Sequence, residues 1–202
     1  MGKKTLIYII IGWCLLTIIK YYFIPYFIAF LLWALLSFTF LGFAITQVLK
    51  IVWEWKSLAK LRIIKFLVFS ILFYLTFNQS PFNRLIEKAD WSIQYKRRMA
   101  IVDKVKSGEL NPNGNHNNGL CKLPYEFPVV SHGGNDILIG KSSDSEELIV
   151  KFWIFRNFFE APSIYFVYTT NEKKINELEE RVARDPKNNW RIEENWYRTF
   201  GE

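Results

Sequence analysis

Cysteine and histidine are scarce in this sequence, which has two of each among its 202 residues. Cys14 lies in a long apolar stretch and Cys121 is far from it along the chain, so no intrachain disulfide is expected. A zinc site needs three or four ligands at workable spacing, and His116, Cys121 and His132 are too widely spread to provide them. We therefore predict no disulfide, no bound metal and no cofactor.

Acidic residues are almost absent from the first 78 residues, where Glu54 is the only one. The same segment has eight lysines and arginines, which gives it a net charge of +7. The other 124 residues have 18 basic and 18 acidic groups and are neutral. A protein that binds nucleic acid needs a basic surface on its folded domain, so we predict no nucleic-acid partner.

Three apolar stretches lie within this basic segment. Phe27–Leu49 is long enough to cross a hydrocarbon core about 30 Å thick, which takes roughly 20 helical residues. Leu6–Ile19 and Ile63–Phe77 are shorter, but flanking aromatic and cationic side chains extend both towards the membrane interfaces. We predict a membrane anchor over residues 1–78, with three transmembrane helices at about 5–24, 27–49 and 58–77.

Basic residues flank these predicted helices unevenly. Only Lys20 lies between the first and second helices, and lysine and arginine favour the cytoplasmic side of a membrane. The N-terminus is therefore predicted to be cytoplasmic, and three crossings place residues 79–202 in periplasmic or extracellular space. This predicts a multi-pass protein of the cell (inner) membrane, with the lipid bilayer as a partner. The residues that determine this topology are Lys3, Lys4, Lys50, Lys56, Lys60, Arg62 and Lys65.

Residues 79–202 combine helical and strand patterns. Ser80-Pro81 is typical of a helix start and Gly108 of a helix end, which predicts a long leading helix over 81–107. Gly133-Gly134 indicates a hairpin turn. Alternating apolar positions predict strands at Tyr125–Ser131, Asp136–Gly140, Leu148–Phe155, Ser163–Thr169 and Trp190–Thr199, and helical spacing predicts a helix at Asn171–Arg184.

These patterns predict the fold class. We expect an α-helical membrane anchor of three transmembrane helices, followed by a small extracytoplasmic α+β domain, residues 79–202, with a mostly antiparallel sheet. A domain of this length can bury an adequate core without disulfides.

Aromatic residues crowd the last 50 positions of the chain. Strand alternation sends some of them into the core, while the others could form a recognition surface, because Trp, Tyr and Arg dominate binding hot spots. Core packing, a partner surface and contact with lipid at the membrane interface all remain open interpretations. The candidate interaction surface consists of Trp153, Arg156, Phe158, Phe159, Tyr165, Trp196 and Tyr197.

The sequence has no recognisable catalytic motif. We predict a non-catalytic protein-interaction domain presented on the outer face of the membrane, with a protein partner, as in an immunity or assembly factor. One alternative is a membrane-bound enzyme that acts on lipid or cell-wall substrates using Cys121 and His132. A second alternative is a subunit of a transport complex.

Overall fold

The computed structural model describes residues 2–23, 26–78, 80–114, 118–141, 147–156 and 162–201. The chain divides into two compact units, Met1–Lys88 and Ala89–Glu202. The helices in the described residues are α1 (Lys3–Phe23), α2 (Tyr26–Trp53), α3 (Lys60–Phe77), α4 (Ser80–Lys106) and α5 (Glu172–Arg184), with a 3₁₀ turn at Trp55–Ser57. The strands are β1 (Leu120–Lys122), β2 (Asp136–Lys141), β3 (Leu148–Phe155), β4 (Ile164–Thr169), β5 (Trp190–Glu193) and β6 (Trp196–Phe200).

The first unit is held together by an apolar cluster in which α1, α2 and α3 all take part. Trp13 from α1 donates its indole N–H to the Thr76 hydroxyl of α3 at 2.9 Å. The Phe40 and Phe69 rings of α2 and α3 stack with their centroids 6.4 Å apart. The buried members of the cluster are Leu6, Trp13, Phe40, Ala44, Phe69 and Leu72.

Two helices, Lys3–Phe23 and Leu31–Trp53, are long and apolar enough to cross a membrane. Lys60–Phe77 meets the same criteria only when it is paired with Phe82–Lys106 across a bend. If that bent pair counts as one span, the chain has up to three candidate spans among its described residues. Lys60–Phe77 does not meet the criteria by itself because three of its 18 residues are charged, namely Lys60, Arg62 and Lys65. The predicted third crossing therefore stays a prediction, while the apolar character of the first two helices is confirmed.

The second unit is built on one antiparallel sheet with the strand order β1-β2-β3-β4-β6-β5. On one face lies α4, whose Trp91 ring is 4.8 Å from Phe166 and 4.9 Å from Trp196. On the opposite face, Leu178 of α5 is fully buried in a cluster with Trp153 and other sheet side chains. Because helices cover both faces, the central strands β3 and β4 are buried along most of their length.

Several predicted elements are confirmed. The long leading helix is present as α4, and Gly108 with φ of +77° follows its end. The predicted short helix is present as α5, where the Asn171 side chain caps the helix by accepting from the Lys174 N–H at 2.7 Å. The six-stranded antiparallel sheet also agrees with the predicted α+β class.

Two predicted strands are wrong. Tyr125–Ser131 forms turns rather than a strand, and the partner of β2 is instead β1, where Cys121 pairs with Ile137. Proline cannot donate a ladder hydrogen bond; Pro128 interrupts this segment and Pro124 directly precedes it. The predicted strand Trp190–Thr199 is two strands, β5 and β6, joined by a turn in which Asn195 has φ of +62°.

Candidate functional site

Four of the rings predicted for the interaction surface lie in the core. Trp153, Tyr165, Trp196 and Tyr197 are all buried. Trp196 lies on the face of the sheet that α4 covers. Trp153, Tyr165 and Tyr197 lie on the opposite face, which α5 covers. These four residues are therefore part of the core, as the first of the three interpretations describes.

Arg156 is the exposed member of that predicted set. Its guanidinium is 2.7 Å from the Asp136 carboxylate, donates to the Gly133 carbonyl at 3.1 Å and lies 4.6 Å from the Trp153 ring centroid. These contacts hold Arg156 against the end of the sheet and offset part of its charge. Phe158 and Phe159 lie outside the described residues.

Cys121 and His132, the residues of the enzyme alternative, are both buried. Burial raises the pKa of the Cys121 thiol, and the negative charge of Asp136 adds to the shift. Burial lowers the pKa of His132 to about 3, and the nearby positive charge of Arg98 contributes. A buried, protonated thiol is a poor nucleophile, so this arrangement favours a structural role for both residues. His116 lies outside the described residues.

A buried ion pair lies within α4, and its arginine also binds the segment that precedes β2. Arg98 and Asp90 lie on the inner face of α4, 2.6 Å apart, and both side chains are almost fully buried. The Arg98 Nε donates to the Val130 carbonyl at 3.0 Å. The guanidinium also lies 4.7 Å from the Phe166 ring centroid, so cation–π attraction adds to the contact.

Asn135 organises the segment 125–130 through its side chain. Its Oδ1 accepts from the Val130 and Ser131 N–H groups at 2.7 and 3.1 Å. Its Nδ2 lies 2.9 to 3.2 Å from three carbonyl oxygens, those of Tyr125, Glu126 and Pro128. Asn135 has φ of +56°, a conformation that asparagine tolerates better than most residues. One buried amide therefore fixes the shape of a loop that has no ladder partner of its own.

This fixed loop presents two aromatic side chains to solvent. Phe127 is 76% exposed and Tyr125 is 37% exposed. On α4, Ile93 is 67% exposed, and Arg97 follows it by one helical turn. Burial raises the pKa of Tyr125, and the positive charges of Lys104 and Arg97 on α4 oppose that shift, so the phenol lies within electrostatic range of these two side chains. We call Ile93, Arg97, Tyr125 and Phe127 the aromatic surface.

The aromatic surface has the composition of a binding hot spot. Exposed tyrosine, arginine and large apolar side chains are enriched where proteins bind one another. A loop held in one conformation loses little entropy on binding. The sequence pattern missed this surface because Tyr125 and Phe127 alternate as in a strand, although the prolines on either side already argue for an exposed loop.

Two other features of the second unit are weaker candidates. A polar cleft of about 240 Å³ lies beside the end of α5, lined by Arg181, Arg184, Asp185, Asn189, Phe200 and Gly201. Arg181 is paired there with Glu177 at 3.0 Å, which reduces its availability to an anion. Among the residues that the structure describes, no three His, Cys, Asp or Glu side chains are grouped to hold a metal ion.

The residues predicted to determine topology occupy two places in the first unit. Lys3 and Lys4 begin α1. The others lie at the end of α2, in the 3₁₀ turn and in the first two turns of α3, namely Lys50, Lys56, Lys60, Arg62 and Lys65. Protein-family models, curated proteins and solved structures contain no match to this chain.

Proposed function

We propose that this chain is an integral membrane protein that presents a non-catalytic protein-binding domain on the outer face of the inner membrane. In this proposal the domain acts as an immunity or assembly factor. The aromatic surface is the observation on which the proposal depends. Two helices that could cross a membrane support the anchor. The outward-facing arrangement depends in addition on a crossing by α3, and the uneven distribution of basic residues favours it.

The aromatic surface supports protein binding more strongly than catalysis. Its exposed side chains are aromatic, aliphatic or cationic, and the loop that holds Tyr125 and Phe127 is already ordered by Asn135. The chemically reactive side chains of the same unit, Cys121 and His132, are buried instead. A surface of this kind contributes affinity by burying rings and excluding water at the interface.

Site-specific photocrosslinking tests this function. A photoreactive residue replaces Phe127 in the full-length protein in its native host, and the matched control replaces Lys173, which is exposed on α5. We expect one protein adduct of defined mass from position 127 and none from position 173. Equal adducts at both positions, or adducts with lipid alone, would contradict the proposal.

The identified partner is then purified and titrated against variants of the full-length protein. Loss of a hot-spot side chain typically costs 2 kcal/mol or more, which is about thirtyfold in affinity. We therefore expect F127S and Y125S each to weaken binding by about thirtyfold, and K173S to leave it unchanged. Unchanged affinity in both loop variants would show that the aromatic surface does not bind this partner.

A further inference from the structure

The turn between α2 and α3 carries exposed tryptophan and lysine side chains together. Trp53, the last residue of α2, is 86% exposed, and Trp55, the first residue of the 3₁₀ turn, is 75% exposed. The three lysines in and beside the turn, Lys50, Lys56 and Lys60, are also exposed. Exposed indoles of this size are uncommon on a water-facing surface and frequent where a helix leaves the hydrocarbon core.

The acid in this turn is already neutralised. Glu54 accepts hydrogen bonds from Arg62, at 2.6 and 2.8 Å from Nη2 and at 3.0 Å from Nε. A two-nitrogen contact of this geometry is a strong ion pair. Because Glu54 is the only acid among the first 78 residues, the segment has no other carboxylate to offset its lysines. The turn therefore has an uncompensated positive charge.

The start of α3 adds to this positive potential. Its N-cap residue is Ala59, which makes no side-chain capping hydrogen bond. The first N–H groups of a helix carry partial positive charge, which a capping oxygen normally offsets. Here the positive end of α3 adds to the lysine charges.

We infer that this turn binds the headgroups of anionic phospholipids. The lysines provide charge complementary to lipid phosphate, and their long stems can lie along apolar surface while the ammonium groups reach the headgroups. The indoles belong at the same depth, because they are amphipathic and the turn directly continues a helix that could cross the membrane. Trp53 and Trp55 anchor the turn at the interface, and the three lysines select the headgroup charge.

Native mass spectrometry of retained lipid tests this inference. The full-length protein is extracted from vesicles that contain equal amounts of phosphatidylglycerol and phosphatidylcholine, and the lipids that remain bound are counted. Each lysine near an anionic membrane surface contributes a preference of about fivefold. We expect the wild-type protein to retain phosphatidylglycerol preferentially, and K50Q/K56Q/K60Q to lose most of that preference, with Lys65 still present nearby.

Matched variants separate headgroup recognition from a loss of fold. K96Q/K122Q/K173Q removes the same charge from exposed sites in the second unit and should keep the preference. K50R/K56R/K60R keeps the charge and should also keep the preference. An unchanged preference in K50Q/K56Q/K60Q, or a preference lost equally in K96Q/K122Q/K173Q, would overturn the inference. If the glutamine variant does not fold, W53Q/W55Q tests the anchoring role of the two indoles. Total lipid retention should fall, and unchanged retention would overturn the placement of the turn at the membrane interface.

Discussion

Arg98 and Asp90 form a charged pair inside the second unit, where desolvation is costly. Removing two ions from water costs several kcal/mol each, and their attraction offsets this only with good geometry and additional hydrogen bonds. The Val130 carbonyl and the Phe166 ring provide such additional contacts. The pair therefore contributes more to fixing the position of α4 on the sheet than to net stability.

Replacing Asp90 by asparagine should destabilise the second unit by about 3 kcal/mol or more, because it leaves the Arg98 charge buried without its counterion. Thermal unfolding of the full-length protein in detergent, followed by near-UV circular dichroism, measures the effect. D103N, an exposed change on the same helix, should cost less than about 0.5 kcal/mol.

The double variant D90L/R98M should be more stable than D90N, because it removes both buried charges. If D90N is as stable as the wild-type protein, the pair is not buried as described.

His132 makes the stability of the second unit depend on pH. Its pKa is lowered to about 3 in the folded protein, below the ordinary value of 6.5, because burial disfavours the imidazolium. The unfolded chain therefore binds a proton at a higher pH than the folded chain does. The stability from neutral His132 is fully present above pH 6.5, and it is lost progressively as the pH falls towards 3.

Between pH 7.5 and pH 4.5, His132 should lower the free energy of unfolding by about 3 kcal/mol. Each pH unit below the ordinary pKa of 6.5 contributes about 1.4 kcal/mol of this loss. In H132Q the midpoint of thermal unfolding should fall less over the same interval, by about 5 to 10 °C. Carboxylates contribute to the pH dependence of both proteins. The difference between wild type and H132Q in the slope of the unfolding midpoint against pH therefore gives the contribution of His132. Parallel slopes would contradict its assignment as a buried neutral group.

At the scale of elements, the loop 125–130 is ordered by a side chain rather than by a backbone ladder. Asn135 makes five hydrogen bonds to this loop and to Ser131, and it does so from a left-handed conformation. Asparagine combines both requirements, because it is short, carries a donor and an acceptor, and tolerates positive φ.

Replacing Asn135 by glycine should lower the free energy needed to open the loop by about 2 to 4 kcal/mol. Glycine accepts the backbone conformation, but it has no side chain to make the hydrogen bonds of Asn135. Amide hydrogen exchange at Val130 and Ser131 should accelerate by at least tenfold. N135D keeps the two acceptor bonds but turns a buried carboxylate oxygen towards the three carbonyl oxygens that Nδ2 contacts, so it should also accelerate exchange. Unchanged exchange in N135G would mean that the loop is ordered by other contacts.

Local sequence patterns predicted those elements whose signals are local. The helical spacing of α5, the Gly108 stop and the apolar pattern of β3 depend on neighbours within one or two turns. The loop 125–130 was predicted as a strand because its fold depends on Asn135, further along the chain. Burial of Arg98 was equally inaccessible, since it requires Asp90 and a carbonyl that lies 32 residues away.

For the whole molecule, the number of membrane crossings in the first unit decides on which side of the membrane residues 79–202 lie. If only the two helices that are long and apolar enough cross the membrane, the chain returns to its starting side. A further crossing by α3 would place residues 79–202 on the opposite side. The charged start of α3 lies next to the lysine-rich turn, so snorkelling side chains can extend this short helix to the interface.

Cysteine labelling of intact spheroplasts distinguishes these topologies. With Cys14 and Cys121 replaced by alanine, a membrane-impermeant maleimide should label K173C before lysis and K56C only after lysis. This result follows from three crossings with a cytoplasmic N-terminus. Labelling of both sites before lysis, or of neither, would show that α3 does not cross.

The two outermost strands of the sheet, β1 with three residues and β5 with four, are also its shortest. Anchored copies of a protein diffuse in two dimensions and collide often, so a long open sheet edge would invite strand pairing between neighbours. Short edges provide few free backbone groups for such pairing. The domain can therefore be crowded at high surface density without polymerising through its sheet.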